Sequence, residues 1–372
     1  MLREAEHSVA ILPSEIRSFI EGLPKAELHL HLEGAMRWST VREVHPRRSQ
    51  LPVHAPWQQR DRLVDFGEFL RIFEEYVKPA TGTPELIERH VFEVLQDLAA
   101  QRVAYVELSV SLYFHTGYAL DAASVLQAVH RGRMSGEQAF PITAKIIVGL
   151  SRRLAESEVR SLIHTAISTV DSAGRRIADG IDLHGDERLG LPDFLGAWFQ
   201  KARKASLKTK AHAGETSGCA SVLAALRLLK IREICHGIRV ADSREAIQRI
   251  VSQGICLHAC LTANIKLGAV PSLESHPFPA LFDAGCILTV NSDDPLIFGT
   301  SVTDELLILA GYYGFSPSDI VSLEMNAFRS SLLTSGMKAR FMEELASLAD
   351  SAEQLCAKWS WPTRPRPEIQ TG

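Results

Sequence analysis

Two histidines spaced two residues apart open the chemistry of this sequence. In Ala26-Glu27-Leu28-His29-Leu30-His31-Leu32-Glu33-Gly34, leucines alternate with His29, His31 and Glu33. Side chains two apart on a strand share a face, so both imidazoles and the Glu33 carboxylate are expected to point one way. Neutral imidazole is a good zinc ligand, and histidines buried side by side need partners. A solvated strand face alternates in the same way, so this stretch alone leaves both readings open.

The same residue types recur at the ends of later apolar runs. His184, Gly185 and Asp186 follow one; His212 and Glu215 close another; His236 ends a third; Asp293 and Asp294 end the last. A single His or Asp at a strand end is usually a cap or turn residue. Five strand ends carrying such groups are harder to explain by turns. His29, His31, His212 and Asp293 make a nitrogen-and-oxygen set that suits one zinc ion per chain with a place left for water. Such an ion lowers the pKa of water from about 15.7 toward 7. Glu215, three residues past His212, could donate a proton as a carboxylic acid. His236 could take the proton of the attacking water or orient it. Asp294 could accept a hydrogen bond from a substrate, or serve as the turn residue before Pro295.

The elements that must position these groups alternate in type. Apolar runs read as strands near 26–34, 103–110, 142–150, 177–185, 208–213, 233–237, 254–260 and 286–291. Helical periodicity falls between most of them: 66–76, where Phe66, Phe69, Leu70 and Phe73 share a face, then 83–100, 121–138, 154–172, 195–205, 217–230 capped by Thr216 or Ser217, 242–252 and a helix within 271–283. Residues 37–65 read as a long loop with one helix. The alternation predicts an α/β (β/α)8 TIM-type barrel with an extra N-terminal helix near 14–21 and C-terminal helices over 302–358. A doubly wound sheet alternates likewise, but no Gly-x-Gly-x-x-Gly turn follows an early strand. The expected organisation is one domain over 1–372, with a core of about 23–330, a helical extension over 331–360 and a loose proline-rich tail after Trp361. On a barrel the carboxyl ends of the strands share one rim, where active sites are built.

Composition narrows the partners. The 372 residues are 46% hydrophobic and 23% charged, with a net charge of -4 and no basic block, so nucleic acid is not an expected partner. The N-terminal stretch is acidic rather than apolar, no run is long enough to span a bilayer, and the six cysteines read as reduced, buried thiols. A cytoplasmic protein without membrane contact is expected; its oligomeric state is left open.

Four segments resemble the adenosine and adenine deaminase family of metal-dependent amidohydrolases. They are Leu23-Pro24-Lys25-Ala26-Glu27-Leu28-His29-Leu30-His31-Leu32-Glu33-Gly34, His212-Ala213-Gly214-Glu215, Cys235-His236-Gly237 and Asn291-Ser292-Asp293-Asp294-Pro295. The resemblance runs from about Leu23 to about Arg329. It implies a distorted barrel with one zinc at its rim, held by His29, His31, His212 and Asp293. It also implies Glu215 as the acid that protonates the purine N1, His236 as the histidine that handles the attacking water, Asp294 at the purine N7 and the Gly185 amide at N3. Cys235, His184 and Cys260-Leu261-Thr262-Ala263-Asn264 depart from the common pattern; His184, close to the purine-binding turn, either alters the substrate pocket or is an exposed turn residue, the second being the preferred reading.

The expected partner is a small purine. Gly180-Ile181-Asp182-Leu183-His184-Gly185-Asp186-Glu187 resembles nucleoside-specific members, which points to adenosine or deoxyadenosine. The 66–73 aromatics resemble a lid over the sugar, though core packing explains each alone. Glu33, with His31, Gly185 and Asp294, is expected to face the substrate, its carboxylate differing in shape and reach from the Asp of many adenosine deaminases. The opening segment equally resembles deaminases of free adenine and of aminodeoxyfutalosine. Two further alternatives remain. One is an inactive purine-binding relative, although here every position of the constellation is filled. The other is a different metal-dependent hydrolase on the same scaffold, of the kind that often holds two metals with a bridging lysine, for which no strand-end lysine here is suited.

Overall fold

Eight strands pair in chain order, β1 to β8, in the computed structural model, which describes residues 7–116, 120–359 and 361. They are β1 (Lys25–His31), β2 (Val103–Val110), β3 (Thr143–Ser151), β4 (Gly180–His184), β5 (Lys208–Ala213), β6 (Glu233–His236), β7 (Cys256–Ala259) and β8 (Ile287–Val290). Every neighbouring pair is parallel. Parallel strands covered on both faces read as near-continuous apolar runs, which is why composition marked them so clearly.

The barrel closes between β8 and β1 by a short seam. Leu30 and Asp293 form an isolated parallel bridge. The His31 amide donates to the Asp293 carbonyl at 3.0 Å, and the Asp293 amide donates to the His29 carbonyl at 3.2 Å. Below them the Asn291 side chain accepts from the amides of Leu28 (2.8 Å) and His29 (3.1 Å), doing the work of a missing strand residue. The register elsewhere sets His31 beside Ser109, His184 beside Ser151 and Ala213 beside His236.

Away from the rim the barrel interior carries paired charges. Lys208 lies 2.6 Å from Glu107 and 2.7 Å from Glu233, and Lys210 lies 3.4 Å from Glu107. Charges this buried persist only when paired. Around the barrel, helices start where side chains cap them: Asp65 accepts from the Glu68 amide, Thr83 from Leu86, Asp121 from Ser124 and Ser316 from Asp319. The helix Pro317–Ser330 packs across β8 and β1 and carries the last helix, Ser335–Lys358.

Three expectations are corrected. Glu33 does not continue the first strand: β1 stops at His31, where its amide makes the seam bond, and Leu32–Ala35 turn into a short helix. The helix after β5 begins at Cys219 with Gly218 as its cap, rather than being capped by Thr216 or Ser217. The amides of those two residues are taken by the Glu187 carboxylate. All six cysteines are free, but Cys219 and Cys356 are half-buried on helix flanks rather than buried. The proline-rich tail after Trp361 lies outside the described residues.

Candidate functional site

The Nε2 atoms of His29, His31 and His212 and Oδ1 of Asp293 meet at one point on the rim. His29 to His212 is 2.9 Å, His31 to His29 is 3.3 Å and His31 to His212 is 3.2 Å. Asp293 Oδ1 lies 3.1 Å from His29 and 3.4 Å from His31. The outer ring nitrogens identify the tautomers. His29 Nδ1 faces the His258 carbonyl at 3.4 Å, and His212 Nδ1 faces the Asp182 carboxylate at 3.3 Å. Protons on those Nδ1 atoms leave lone pairs at the Nε2 atoms of His29 and His212, and these converge with Asp293 Oδ1 on the point that His31 Nε2 also faces. Donor atoms held about 2.0–2.1 Å from a tetrahedral ion lie about 3.3–3.4 Å apart. The cluster therefore fits a metal ion. His236 also approaches, and ligand atoms of His29, His212, His236 and Asp293 all lie within 4.8 Å of one another. Its Nε2 stands 3.8 Å from Asp293, farther out than His31, and its Nδ1 is already occupied by Asn264.

Electrostatics point the same way. Burial opposes a charge on His31, yet the carboxylates of Asp294 and Asp293 raise its pKa to about 9. Burial likewise opposes charge on Asp293, but His29 and His31 hold it well below the usual carboxylate range. The carboxylates thus favour a positive charge at His31, while burial lowers the pKa of His212 to about 3 and holds His236 below the usual range. Both Asp293 (φ 65°) and His236 (φ 64°) adopt the left-handed region, unusual for residues other than glycine and frequent where geometry serves a site.

A cavity of about 240 Å³ opens from this cluster. It is lined near the cluster by Glu215, His236 and Asp294 and farther out by Glu33, Gly185 and the Phe66, Phe69 and Phe73 rings. Burial, then the Asp293 carboxylate, pushes the Glu215 carboxyl well above the usual range. Asp294 is buried, and its Oδ1 has no hydrogen-bond partner among the described residues. It caps the short helix Pro295–Phe298 without a side-chain bond, so a turn role does not account for its carboxylate. Gly34 lies directly beneath: a Cβ there would fall 1.7 Å from Asp294 Oδ1. Gly185 has φ 93°, a conformation that favours glycine. Glu33, displaced from the histidine face, is fixed through Oε1 by the Ser111 amide (2.8 Å) and His115 Nε2 (2.9 Å).

His184 is half-buried in the cavity wall rather than an exposed turn residue. Its Nε2 lies 3.3 Å from Ser111 Oγ, and burial lowers its pKa to about 4. Cys235 is buried with its Sγ 4.0 Å from Asp182. All nine residues expected at the site line this cavity or the cluster at its floor.

Four residues not anticipated support them. Asp182 orients His212; its place two residues before His184 on β4 repeats the spacing of His29 and His31 and was a usable signal. Glu187 gathers the amides of Gly214 (2.5 Å), Glu215 (3.0 Å), Thr216 (2.7 Å) and Ser217 (2.8 Å), holding the loop that carries Glu215. Asn264 contacts both Glu215 and His236, and His276 contacts Asn264. No spacing rule points to the last three.

Comparisons with known proteins follow the same outline. The family pattern described as "Adenosine deaminase" matches residues 24–348. An adenine deaminase from Caulobacter vibrioides is 32% identical over 335 residues, covering 88% of this chain and 94% of that one. An aminodeoxyfutalosine deaminase from Streptomyces coelicolor is 30% identical over 338 residues, covering 90% and 86%. Among solved structures, an adenine deaminase from Arthrobacter aurescens superposes with a TM-score of 0.81 at 26% identity, covering 88% of this chain and all of that one.

Proposed function

Because the chain belongs to the adenosine deaminase family, whose members are hydrolytic deaminases, we propose that it removes the 6-amino group of an adenine nucleoside, adenosine or deoxyadenosine, as a single-domain cytoplasmic enzyme. The observation that carries the reading is one cavity that holds a cluster suited to a cation together with two buried carboxyls pushed toward the protonated form, Glu215 and the unpartnered Asp294.

His29, His31, His212 and Asp293 would hold a zinc ion, which when bound would supply Lewis acidity toward water near neutral pH. The chain's own groups do the rest. Glu215, neutral because it is buried beside Asp293, gives its proton to the ring nitrogen N1. That draws electron density from C6, where an amine is otherwise a poor leaving group on an aromatic ring. His236 orients the attacking water from Nε2, which lies 3.5 Å from Glu215 Oε2. Glu215, left as a carboxylate once its proton is on N1, takes up the protons the water gives up and returns one to the leaving amine. Asp294, its carboxyl pushed well above the usual range by burial and then by the Asp293 carboxylate, donates to N7, and the Gly185 amide donates to N3. General acid-base help of this kind contributes roughly 10²–10⁴-fold. The apolar rings of Phe66, Phe69 and Phe73 lie beyond this polar floor and give a sugar a place to lie, with Glu33 to accept from it through the oxygen that Ser111 and His115 leave free.

A second substrate reading follows from the relatives, which are named for free adenine and for aminodeoxyfutalosine. One assay separates the candidates: incubate zinc-loaded protein with adenosine, deoxyadenosine, adenine and aminodeoxyfutalosine and measure ammonia release. Turnover of a nucleoside, lost in Glu215→Gln, is expected. No turnover of any substrate, with Glu215→Gln indistinguishable from wild type, refutes the deaminase reading and leaves a purine-binding protein.

A further inference from the structure

Behind Glu215 and His236 runs a chain of hydrogen bonds whose direction is fixed by a backbone group. The Phe278 amide can only donate, and it donates to His276 Nδ1 at 3.1 Å. His276 therefore carries its proton on Nε2, which faces Asn264 Oδ1 at 3.2 Å. That contact orients the Asn264 amide and leaves both hydrogens on Nδ2. One goes to Glu215 Oε1 at 3.0 Å and the other to His236 Nδ1 at 3.1 Å. Each member is buried, Asn264 completely.

The consequence is reached by elimination. His236 Nδ1 must present a lone pair, so its proton sits on Nε2, the nitrogen 3.5 Å from Glu215 Oε2 and 3.8 Å from Asp293 Oδ2. Glu215 Oε1 is occupied as an acceptor, so the acid proton sits on Oε2. Burial lowers the His276 pKa to about 3, and the neutral ring keeps this polarity across the working pH range. Asn264 belongs to the short helix Leu261–Lys266 after β7, and His276 to the segment before the helix Phe278–Asp283. The chain thus couples three separate parts of the rim.

We propose that Asn264 and His276 are positioning residues that set the tautomer of His236 and select the oxygen of Glu215 that delivers the proton; the inference rests on the deaminase reading for its catalytic consequence. Replacing Asn264 by aspartate keeps the shape and removes the donor, setting a carboxylate against two acceptors. His236 then gains its proton on Nδ1.

The test uses metal-reconstituted full-length protein. Asn264→Asp is expected to lower kcat about 10–100-fold, the range seen when groups supporting a site are changed, with KM within about two-fold and metal content unchanged. His276→Gln, which keeps a donor toward Asn264, should retain most of kcat, whereas His276→Leu should lose about ten-fold. Independently of turnover, ¹⁵N imidazole spectra of the holo protein should show His236 protonated on Nε2 in wild type and on Nδ1 in Asn264→Asp. Wild-type kcat in Asn264→Asp, equal losses in both His276 variants, a loss that only follows lost metal or fold, or a wild-type His236 protonated on Nδ1 each overturns the proposal. If wild type deaminates no 6-aminopurine, the functional reading falls while the tautomer measurement still decides the positioning role.

Discussion

Removing the Glu187 carboxylate should disable the site without touching a metal ligand. Glu187 follows β4, yet its two oxygens hold the loop after β5: Oε1 takes the Gly214 amide and Ser221 Oγ (2.9 Å), and Oε2 takes the amides of Glu215, Thr216 and Ser217 and Thr216 Oγ1 (3.2 Å). In Glu187→Ala, the exposed Thr216 and half-buried Ser217 amides can turn to water. The Gly214 and Glu215 amides are buried and cannot. Each buried donor left unmade costs about 1–3 kcal/mol, so the substitution should destabilise by about 2–6 kcal/mol. Glu187→Gln keeps one carbonyl oxygen but opposes an NH₂ group to an N–H and loses the charge that strengthens the remaining bonds; about 1–3 kcal/mol is expected. The loop carries Glu215, and misplacing a reacting group by 1 Å can lower a rate about 100-fold. Denaturant midpoints, metal content and ammonia release should be measured side by side. The expected pattern is wild type above Glu187→Gln above Glu187→Ala in both midpoint and kcat, with metal retained in Glu187→Gln. A Glu187→Ala protein with wild-type midpoint and wild-type kcat refutes the reasoning.

Asp182→Asn removes the charged partner of His212 Nδ1 and should weaken metal binding about 10–100-fold in chelator competition. Gly34→Ala drives a methyl group onto Asp294 Oδ1 and should raise KM roughly ten-fold, the equivalent of one hydrogen bond, with metal content unchanged. Glu305 accepts from the Leu261 and Thr262 amides and Thr300 Oγ1, and burial raises its pKa from 4.5 to about 7. Its raised value means that the unfolded chain releases this proton first, so wild type loses stability as pH climbs from about 4.5 through 7. The melting-temperature advantage of Glu305→Gln over wild type should therefore grow between pH 5 and pH 8, and a difference that does not vary with pH contradicts the assignment.

The barrel was legible because buried parallel strands leave uninterrupted apolar runs, and the cluster because a barrel brings strand ends to one rim whatever their separation along the chain. His29, His31, His212 and Asp293 needed only that topology. Glu33 was misplaced because alternation carries no signal for where a strand ends; the seam bond from His31 to Asp293, a contact across most of the chain, ends it. His184 leaves two readings open in the sequence, a pocket residue and an exposed turn residue, because a turn sequence does not say what packs over it; the structure places it in the cavity wall. Glu187, Asn264 and His276 were silent for a related reason. Their partners lie in other segments, and nothing local distinguishes a carboxylate that gathers four amides from one in solvent.

The seam between β1 and β8 gives a bound ion a second identity, as a crosslink. His29 and His31 stand on one side of the joint and Asp293 on the other, in the same small region where Asn291 reaches residues 262 and 263 positions away. An ion gripping both sides closes the chain into a ring, as a disulfide between its first and last strands would. Unlike a disulfide, such an ion leaves when the chain unfolds, so its contribution to stability follows its affinity for the folded site and its free concentration. Stripping the ion unlinks the ring at its narrowest joint. Loss of metal should therefore appear first as faster hydrogen exchange at the His31 and Asp293 amides, with the β2–β7 ladder still protected.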